Sequence, residues 1–476
     1  MKKYGIIAVL VAAVAAAGVW GWSALTGRDD SMASSLPADV TMVGRVDLKT
    51  LVLDYGLDFA DLKDLLFSAN KDEKTGIKFQ TAAYVFASQG YFGGIVALED
   101  DNDFEAFLKK QGCEVEEQRG LRWAVIENNV LLGFDDDRAM LMGPAVGSEQ
   151  DALRNTVATC LKQSDSESGK QSRIYKLLEQ RKEPVAISSN LSALPKKLLS
   201  EYLSYLPGDL SLDDLDVMAG FTAQKERLGL SFAFSSENES LNRQMDKVDK
   251  IFGQIESSLV RTTPPSPLFH MVMNVDGEDL LERLREDKTL RTGLLALNMI
   301  FDLDMVVKSI DGDVALTCPE YSEELPSLLF QAEVEDDKFM KKVNDWNDAP
   351  TKAMGVNFYS QDSHNAMCTV AGMPVYFGTH DDRLSISNTE ALVKTDAYAD
   401  VKAKMADEMK GNRLYAVLNV DKLRPVVGQY APESQQFLDL FDRLTLSVPD
   451  VREMRFELVT REGVDLLQVL KEKVEE

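Results

Sequence analysis

The chain has 476 residues, of which 45% are hydrophobic, and its formal net charge is −26 at pH 7. This length is enough for two hydrophobic cores, so the composition indicates a globular protein with more than one domain. The negative charge repels the phosphate backbone of nucleic acids and anionic lipid surfaces. Nucleic acid is therefore disfavoured as a partner.

The N-terminal residues 5–25 form an apolar segment without a charged side chain. As a helix this segment would span roughly 31 Å, about the thickness of a bilayer core. Two lysines precede it and two aspartates follow, so the positive-inside rule exports everything after the segment. We predict a membrane anchor over residues 1–30, with one transmembrane helix in the inner membrane and the bulk of the chain in the periplasm. The alternative is a signal peptide cleaved near the alanines at 15–17, which would leave a soluble periplasmic protein.

Four places in the chain combine an apolar strand pattern with a helix-capping Asp or Asn. These strand-to-helix corners lie at residues 38–47, 185–192, 269–276 and 414–421. Alternating polarity also predicts a β-hairpin formed by residues 216–224 and 227–234. Because the strands alternate in polarity, we predict α+β domains, each an antiparallel sheet with helices packed on one side.

One sequence pattern occurs twice. An apolar run, a glycine, an acidic turn and an arginine follow one another around Arg138 and again around Arg383. Upstream of each arginine, an acidic segment after a strand predicts a capped helix, at residues 97–109 and 332–343. The repetition predicts that the chain holds two copies of one fold.

The boundary between the copies is predicted at the proline cluster in residues 261–267. Proline fixes φ and removes a backbone donor, which suits a stiff extended linker. We predict a first repeat domain over residues 31–262 and a second over 263–476. In the second domain, residues 464–470 are predicted to form the last strand, paired with residues 453–459.

Four sequence blocks resemble a known family. They lie at residues 37–51, 216–223, 274–281 and 308–315. They are similar, in the same order, to recurring blocks of an uncharacterised Bacteroidetes envelope protein family, domain-of-unknown-function family 4836. The resemblance implies a place in the cell envelope but carries no known activity, so it transfers no catalytic residue. Many relatives look like lipoproteins, whereas no cysteine lies directly after the apolar segment of this chain.

Cysteine and histidine are sparse. The cysteines are Cys113, Cys160, Cys318 and Cys368, and the histidines are His270, His364 and His380. Their spacing matches no zinc site, redox motif or catalytic triad. Disulfides and buried unpaired thiols are both compatible with export, and Cys160 lies on an apolar helical stripe. For His270, the strand pattern predicts a satisfied or surface position.

The acidic clusters have a structural and a metal-binding interpretation. The first cluster is Glu99, Asp100, Asp101 and Asp103, and the others are Asp135, Asp136 and Asp137, then Asp381 and Asp382. A calcium loop would need a glycine where Phe104 stands. Helix capping for the first cluster and turn formation for the others are therefore favoured over a divalent cation. Arg138 and Arg383 are expected to pair with carboxylates at the surface.

The sequence therefore predicts a non-enzymatic, membrane-tethered periplasmic protein that binds or scaffolds an envelope component. The alternative is a carboxylate-based hydrolase acting on an envelope polymer, which needs no histidine. No catalytic, cofactor-binding or metal-ligating residue is predicted, and no cofactor. The expected partners are the membrane, through residues 5–25, and another envelope protein or glycan.

Overall fold

The computed structural model of the protein describes residues 31–47, 49–50, 74–126, 129–145, 147–194, 211–224, 226–322, 325–347, 351, 355–394, 403–431 and 435–465. The predicted anchor over residues 1–30 lies outside these residues. Among the residues just given, no helix is long and apolar enough to cross a membrane.

The described residues fall into two compact units, divided between Asn238 and Glu239. We call Glu239–Val464 unit 2, and the residues up to Asn238 together with those from Asp465 onward unit 1. The proline cluster at residues 261–267 lies inside unit 2. The predicted repeat boundary between residues 262 and 263 stays a prediction.

Unit 1 contains an antiparallel sheet of ten strands in its described part. They are β1 (Val40–Val46), β2 (Ala83–Ser88), β3 (Tyr91–Ala97), β4 (Val115–Gln118), β5 (Leu121–Ile126), β6 (Val130–Phe134), β7 (Arg138–Gly143), β8 (Val185–Asn190), β9 (Leu215–Gln224) and β10 (Arg227–Ser236). Their order is β4-β5-β6-β7-β3-β2-β1-β8-β9-β10.

The helices of unit 1 cover both faces of this sheet. Those that the structure describes over their full length are α1 (Asp101–Lys110), α2 (Gln150–Lys162) and α3 (Arg173–Glu179). Alternate residues of β7 enter different cores: Met140 packs with α2 and α3, whereas Leu141 packs with α1. All five residues of β6 are buried, as expected for a strand covered on both sides. The prediction of helices on one side is therefore wrong for unit 1.

Unit 2 also contains an antiparallel sheet of ten strands among its described residues. They are β11 (Phe269–Asp276), β12 (Ile310–Cys318), β13 (Leu329–Val334), β14 (Val356–Ser360), β15 (Asn365–Val370), β16 (Met373–His380), β17 (Arg383–Ser387), β18 (Leu414–Asn419), β19 (Phe441–Asp450) and β20 (Glu453–Thr460). Their order is β14-β15-β16-β17-β13-β12-β11-β18-β19-β20.

The helices of unit 2 lie mainly in the connections between strands. They are α4 (Glu239–Ile251), α5 (Gly277–Glu286), α6 (Lys288–Asn298), α7 (Leu303–Lys308), α8 (Glu390–Val393), α9 (Ala403–Met409), α10 (Val420–Tyr430) and α11 (Gln435–Leu438). One core surrounds Phe339, Trp346 and Phe358, and a second surrounds Leu259, Val272 and Tyr415. The α+β class with antiparallel sheets is thus confirmed.

The four strand-to-helix corners are confirmed. At each corner, a side-chain oxygen accepts a hydrogen bond from a backbone N–H in the first turn of the following helix, which stabilises the helix start. The four acceptors are Asp47, Asn190, Asp276 and Asn419, with N···O distances of 3.1, 3.0, 2.9 and 3.2 Å.

The predicted hairpin at residues 216–234 is also confirmed, because β9 pairs with β10 over their full lengths. The predicted C-terminal pairing of residues 464–470 with residues 453–459 is not seen in the described part of the chain. Strand β20 forms a hairpin with the strand before it, β19 (Phe441–Asp450). Val464 and Asp465 lie outside any strand, and residues 466–470 lie outside the described residues.

Candidate functional site

The first acidic cluster caps a helix. The side chain of Asp100 accepts hydrogen bonds from the backbone N–H groups of Asn102 and Asp103, at 2.9 and 2.8 Å. Asp101, in the first turn of α1, forms an ion pair with Arg122. The carboxylates therefore stabilise the start of α1, as the capping interpretation predicts.

The other two acidic clusters form turns. Asp135 accepts hydrogen bonds from the backbone N–H groups of Asp137 and Arg138, at 3.0 and 2.9 Å. Asp381 and Asp382 have positive φ angles of 48° and 57°, and they form the two-residue loop of the β16–β17 hairpin. Aspartate tolerates this left-handed backbone better than most residues, so the turn prediction is confirmed.

The two repeated arginines differ from the prediction. The guanidinium of Arg138 donates hydrogen bonds to the hydroxyls of Ser34 and Ser35, at 3.4 and 3.0 Å. Arg383 is only 8% exposed, because it lies within the sheet. It begins β17, where its backbone is opposite Glu333 of β13 and His380 of β16. The expected surface position is therefore wrong for Arg383.

The histidines take structural positions. His270 is buried on β11, and its Nδ1 lies 2.8 Å from the hydroxyl of Thr317. Burial lowers the pKa of His270 to about 4, so this side chain is neutral at physiological pH. Across the β15–β16 hairpin, the rings of His364 and His380 lie 6.3 Å apart. Within the described ranges, no group of three or more His, Cys, Asp or Glu side chains is placed to hold a metal ion.

All four cysteines are unpaired thiols, and three of them are buried. Cys160 lies on the predicted stripe of α2, between the buried side chains of Val157 and Leu161. Burial, and then the charge of Asp39, raise the pKa of Cys160 to about 11. Such a thiol is protonated at physiological pH and is a poor nucleophile.

An open groove lies beside α2, on the described surface of unit 1. It has a volume of about 820 Å³ and is lined by residues 37–39, one side of α2 and Glu167. Cys160 is its buried thiol, and the hydroxyls of Thr156 and Thr159 donate to backbone carbonyls of α2. Three other polar lining groups also have partners: Asp39 accepts from Ser88, Asn155 from Arg119, and Glu167 from Ser164.

The second concavity is a smaller pocket inside unit 2, and we take it as the candidate functional site. It encloses about 190 Å³. Its apolar wall is formed by Val260, Pro264, Pro265, Pro267, Met405 and Val417. The proline cluster is held there because the hydroxyl of Thr263 donates to the carbonyl of Leu259 at 3.0 Å, and the N–H of Leu268 donates to the carbonyl of Pro319 at 3.1 Å. The segment thus forms a wall of unit 2 instead of a free linker.

The polar end of the pocket is a connected network. The hydroxyl of Tyr415, on β18, donates to Glu408 Oε2 at 2.9 Å, and Arg443 Nη2, on β19, donates to Glu408 Oε1 at 2.7 Å. A second carboxylate, Asp442, lies 3.5 Å from Arg443 Nη1. One arginine therefore joins two carboxylates at the edge of the pocket.

The network is suited to hydrogen bonding more than to proton transfer. Burial and then the charge of Glu408 raise the pKa of Tyr415 far above its ordinary value, so its hydroxyl keeps its proton. Arg443 Nε is buried and has no hydrogen-bond partner among the described residues. The pocket thus combines a fixed donor, two carboxylate acceptors and an apolar wall.

The residues of this site form no recognisable motif in the sequence. Its polar residues come from α9, β18 and β19, which the order of strands in the sheet brings together. The available clues were the proline cluster and the corner at residues 414–421, and nothing in the sequence linked them. Strand β19, which carries Asp442 and Arg443, was not predicted.

The chain is distantly similar to two solved structures of one protein. A structure described as crystal form I of TP0453 has a TM-score of 0.28 and 10% identity, covering 47% of this chain and 87% of that one. Crystal form IV of TP0453 gives a TM-score of 0.28 and 11% identity, covering 44% and 81%. Among curated proteins, the comparison found no match to this chain.

A family model matches residues 52–428, which is most of the chain. The match includes three of the four sequence blocks on which the resemblance to an envelope family rests, and it covers parts of both units. The chain therefore belongs to the family described as a domain of unknown function (DUF4836).

Proposed function

We propose that the protein is a non-enzymatic periplasmic protein, tethered to the inner membrane through residues 5–25. Its unit 2 pocket binds a small group of another envelope component, either a protein or a glycan. In the alternative already given, the N-terminal segment is cleaved and the same pocket acts in a soluble periplasmic protein.

We also infer that the two units are copies of one domain. The support is topological: the ten strands of unit 2 follow the same order as the ten strands of unit 1 when β11 corresponds to β1. In this correspondence, Arg138 begins the seventh strand of unit 1, and Arg383 begins the seventh strand of unit 2. A short 3₁₀ helix also precedes the first strand of each, at Ser31–Ser35 and Ser258–Thr262.

The observation that carries the binding proposal is the paired network at the end of the pocket. Glu408 is held by Tyr415 and Arg443, so its carboxylate has a fixed position before any ligand arrives. Preorganised groups of this kind reduce the entropy lost on binding. A volume of about 190 Å³ suits a single sugar ring or amino-acid side chain, below the usual size of a whole drug-like ligand.

Binding of soluble muropeptides, released from peptidoglycan by a muramidase, tests the pocket. We expect Tyr415→Phe to weaken binding by about 2- to 10-fold, because Glu408 loses one of the two donors that fix its carboxylate. Glu408→Gln is expected to weaken it by roughly 10-fold or more, because a charged acceptor is lost. Isothermal titration calorimetry on the full chain in detergent measures both.

The matched control is Asp407→Asn, since Asp407 is an exposed carboxylate on the same helix and does not line the pocket. It should leave the affinity unchanged. Muropeptide binding that survives both pocket variants would place the binding site elsewhere. If neither muropeptides nor purified envelope glycans bind, a glycan is excluded as the bound component.

The alternative function, a carboxylate-based hydrolase, is favoured by one observation. Glu408 and Asp442 line the same pocket and contact the same guanidinium. Their side chains are 27% and 45% exposed, however, so neither carboxyl is deeply buried as a general acid usually is. Release of reducing ends from peptidoglycan, lost in both Glu408→Gln and Asp442→Asn, would support the hydrolase.

A further inference from the structure

Helix α6 of unit 2 exposes apolar side chains on two opposite sides. None of its residues is buried. Leu295 is 61% exposed, and Met299, just after the helix, is 60% exposed. Leu290 and Leu297 are exposed as well. A helix with apolar residues on opposite sides is normally covered by protein or lipid.

The exposed position is not a result of fraying. Asp287 caps the start of α6 by accepting from the N–H groups of Thr289 and Leu290, at 2.8 and 2.9 Å. At the other end, Asn298 Nδ2 donates to Asp304 Oδ1 of α7 at 2.8 Å. The helix is therefore fixed at both ends, and its apolar surface is a stable feature of unit 2.

The charge of this segment is opposite to that of the whole protein. Residues 288–301 contain Lys288 and Arg291 but no acidic residue, in a chain whose net charge is −26. Neither cation forms an ion pair with any residue that the structure describes. The cations of the flanking helices are paired instead, as in the contacts of Arg285 with Asp304 and of Lys308 with Glu278.

We propose that α6 is a phospholipid-binding helix that lies in the headgroup region of a membrane, with Lys288 and Arg291 at the phosphates. Local positive charge beside exposed leucines is the composition of interfacial helices. Leu295 and Leu297 are two residues apart, so they point to roughly opposite sides of the helix. A flat protein partner would cover one of these sides, whereas acyl chains and headgroups surround an embedded helix. This contact is separate from the proposed N-terminal tether.

Photolabelling tests the inference on the full chain. The protein is reconstituted in vesicles of phosphatidylcholine and phosphatidylglycerol that contain a membrane-restricted carbene precursor, and tryptic peptides are analysed by mass spectrometry. We expect strong labelling of the peptide of residues 292–308. The double variant Leu295→Glu and Met299→Glu should reduce it about 10-fold, because two apolar side chains no longer enter the bilayer.

Several controls make the result decisive. Leu325 is 53% exposed and lies outside α6, so Leu325→Glu should leave the labelling of residues 292–308 unchanged. The peptide that contains residues 5–25 reports the tether separately. If that peptide is labelled while residues 292–308 are labelled no more than other exposed peptides, the inference is overturned and the tether stands. Self-association abolished by the double variant, without lipid labelling, would show instead that a second copy covers α6.

Discussion

Replacing Asp313 by alanine is expected to destabilise unit 2 by about 3 kcal/mol or more, because buried hydrogen-bond donors lose a charged acceptor. Asp313 is fully buried on β12. Its carboxylate accepts hydrogen bonds from the backbone N–H groups of Glu256 and Ser258, at 3.1 and 3.2 Å, and from Asn274 Nδ2 at 3.1 Å. These bonds attach the segment before β11 to the sheet.

Urea unfolding of the wild type and the variant measures this loss. Asp311→Ala is the matched control, since Asp311 is an exposed carboxylate on the same strand. We expect it to change the free energy of unfolding by less than about 0.5 kcal/mol. Equal stability of the Asp313 and Asp311 variants would show that the buried network contributes little.

The stability of unit 2 is expected to fall between pH 6.5 and about 4 because of His270. Its pKa is lowered by burial in the folded protein, so the unfolded chain takes up the proton first as the pH falls. The free energy of unfolding has its full value above pH 6.5, the pKa of this histidine in the unfolded chain. It falls as the pH approaches about 4, the pKa of His270 in the folded protein. The full loss is about 3 kcal/mol.

The test compares the pH dependence of unfolding in the wild type and in a double variant, His270→Phe with Thr317→Val. Replacing both partners of the 2.8 Å contact avoids leaving one polar group unpaired. We expect a flatter profile between pH 6.5 and 4 in the double variant. His364→Gln, at an exposed histidine, should keep the wild-type slope. Identical slopes in all three proteins would contradict the assignment to His270.

The parts of the fold that depend on local chemistry were predictable from the sequence. Each strand-to-helix corner needs only an apolar strand and a capping Asp or Asn, as at Asp47 and Asn419, because the cap bonds to residues two or three positions away. The position of Cys160 on the apolar stripe of α2 follows from helical spacing alone. The hairpin of β9 and β10 joins neighbouring segments, so its pairing is local as well.

The features that failed depend on distant partners. The pattern of β20 suits a hairpin with the segment before it or with the segment after it. The internal repeat favours residues 464–470, after it, whereas in the structure β20 pairs with β19, before it. The proline cluster lacks backbone donors, which suits both a linker and a pocket wall. Its position in the folded chain, where it lines a pocket together with Met405 and Tyr415, decides between them. Whether helices cover one face or both faces of the unit 1 sheet likewise depends on which face α1 packs against.

Protease digestion of spheroplasts tests the proposed membrane-tethered location most directly. A protease added outside should digest the chain after residue 30, while a short fragment that contains residues 5–25 stays in the membrane pellet. The pocket and α6 would then both lie on the periplasmic side. Full protection of the chain would contradict export. Recovery of an intact soluble protein with its N-terminus near Gly18 would contradict the tether and establish the cleaved form.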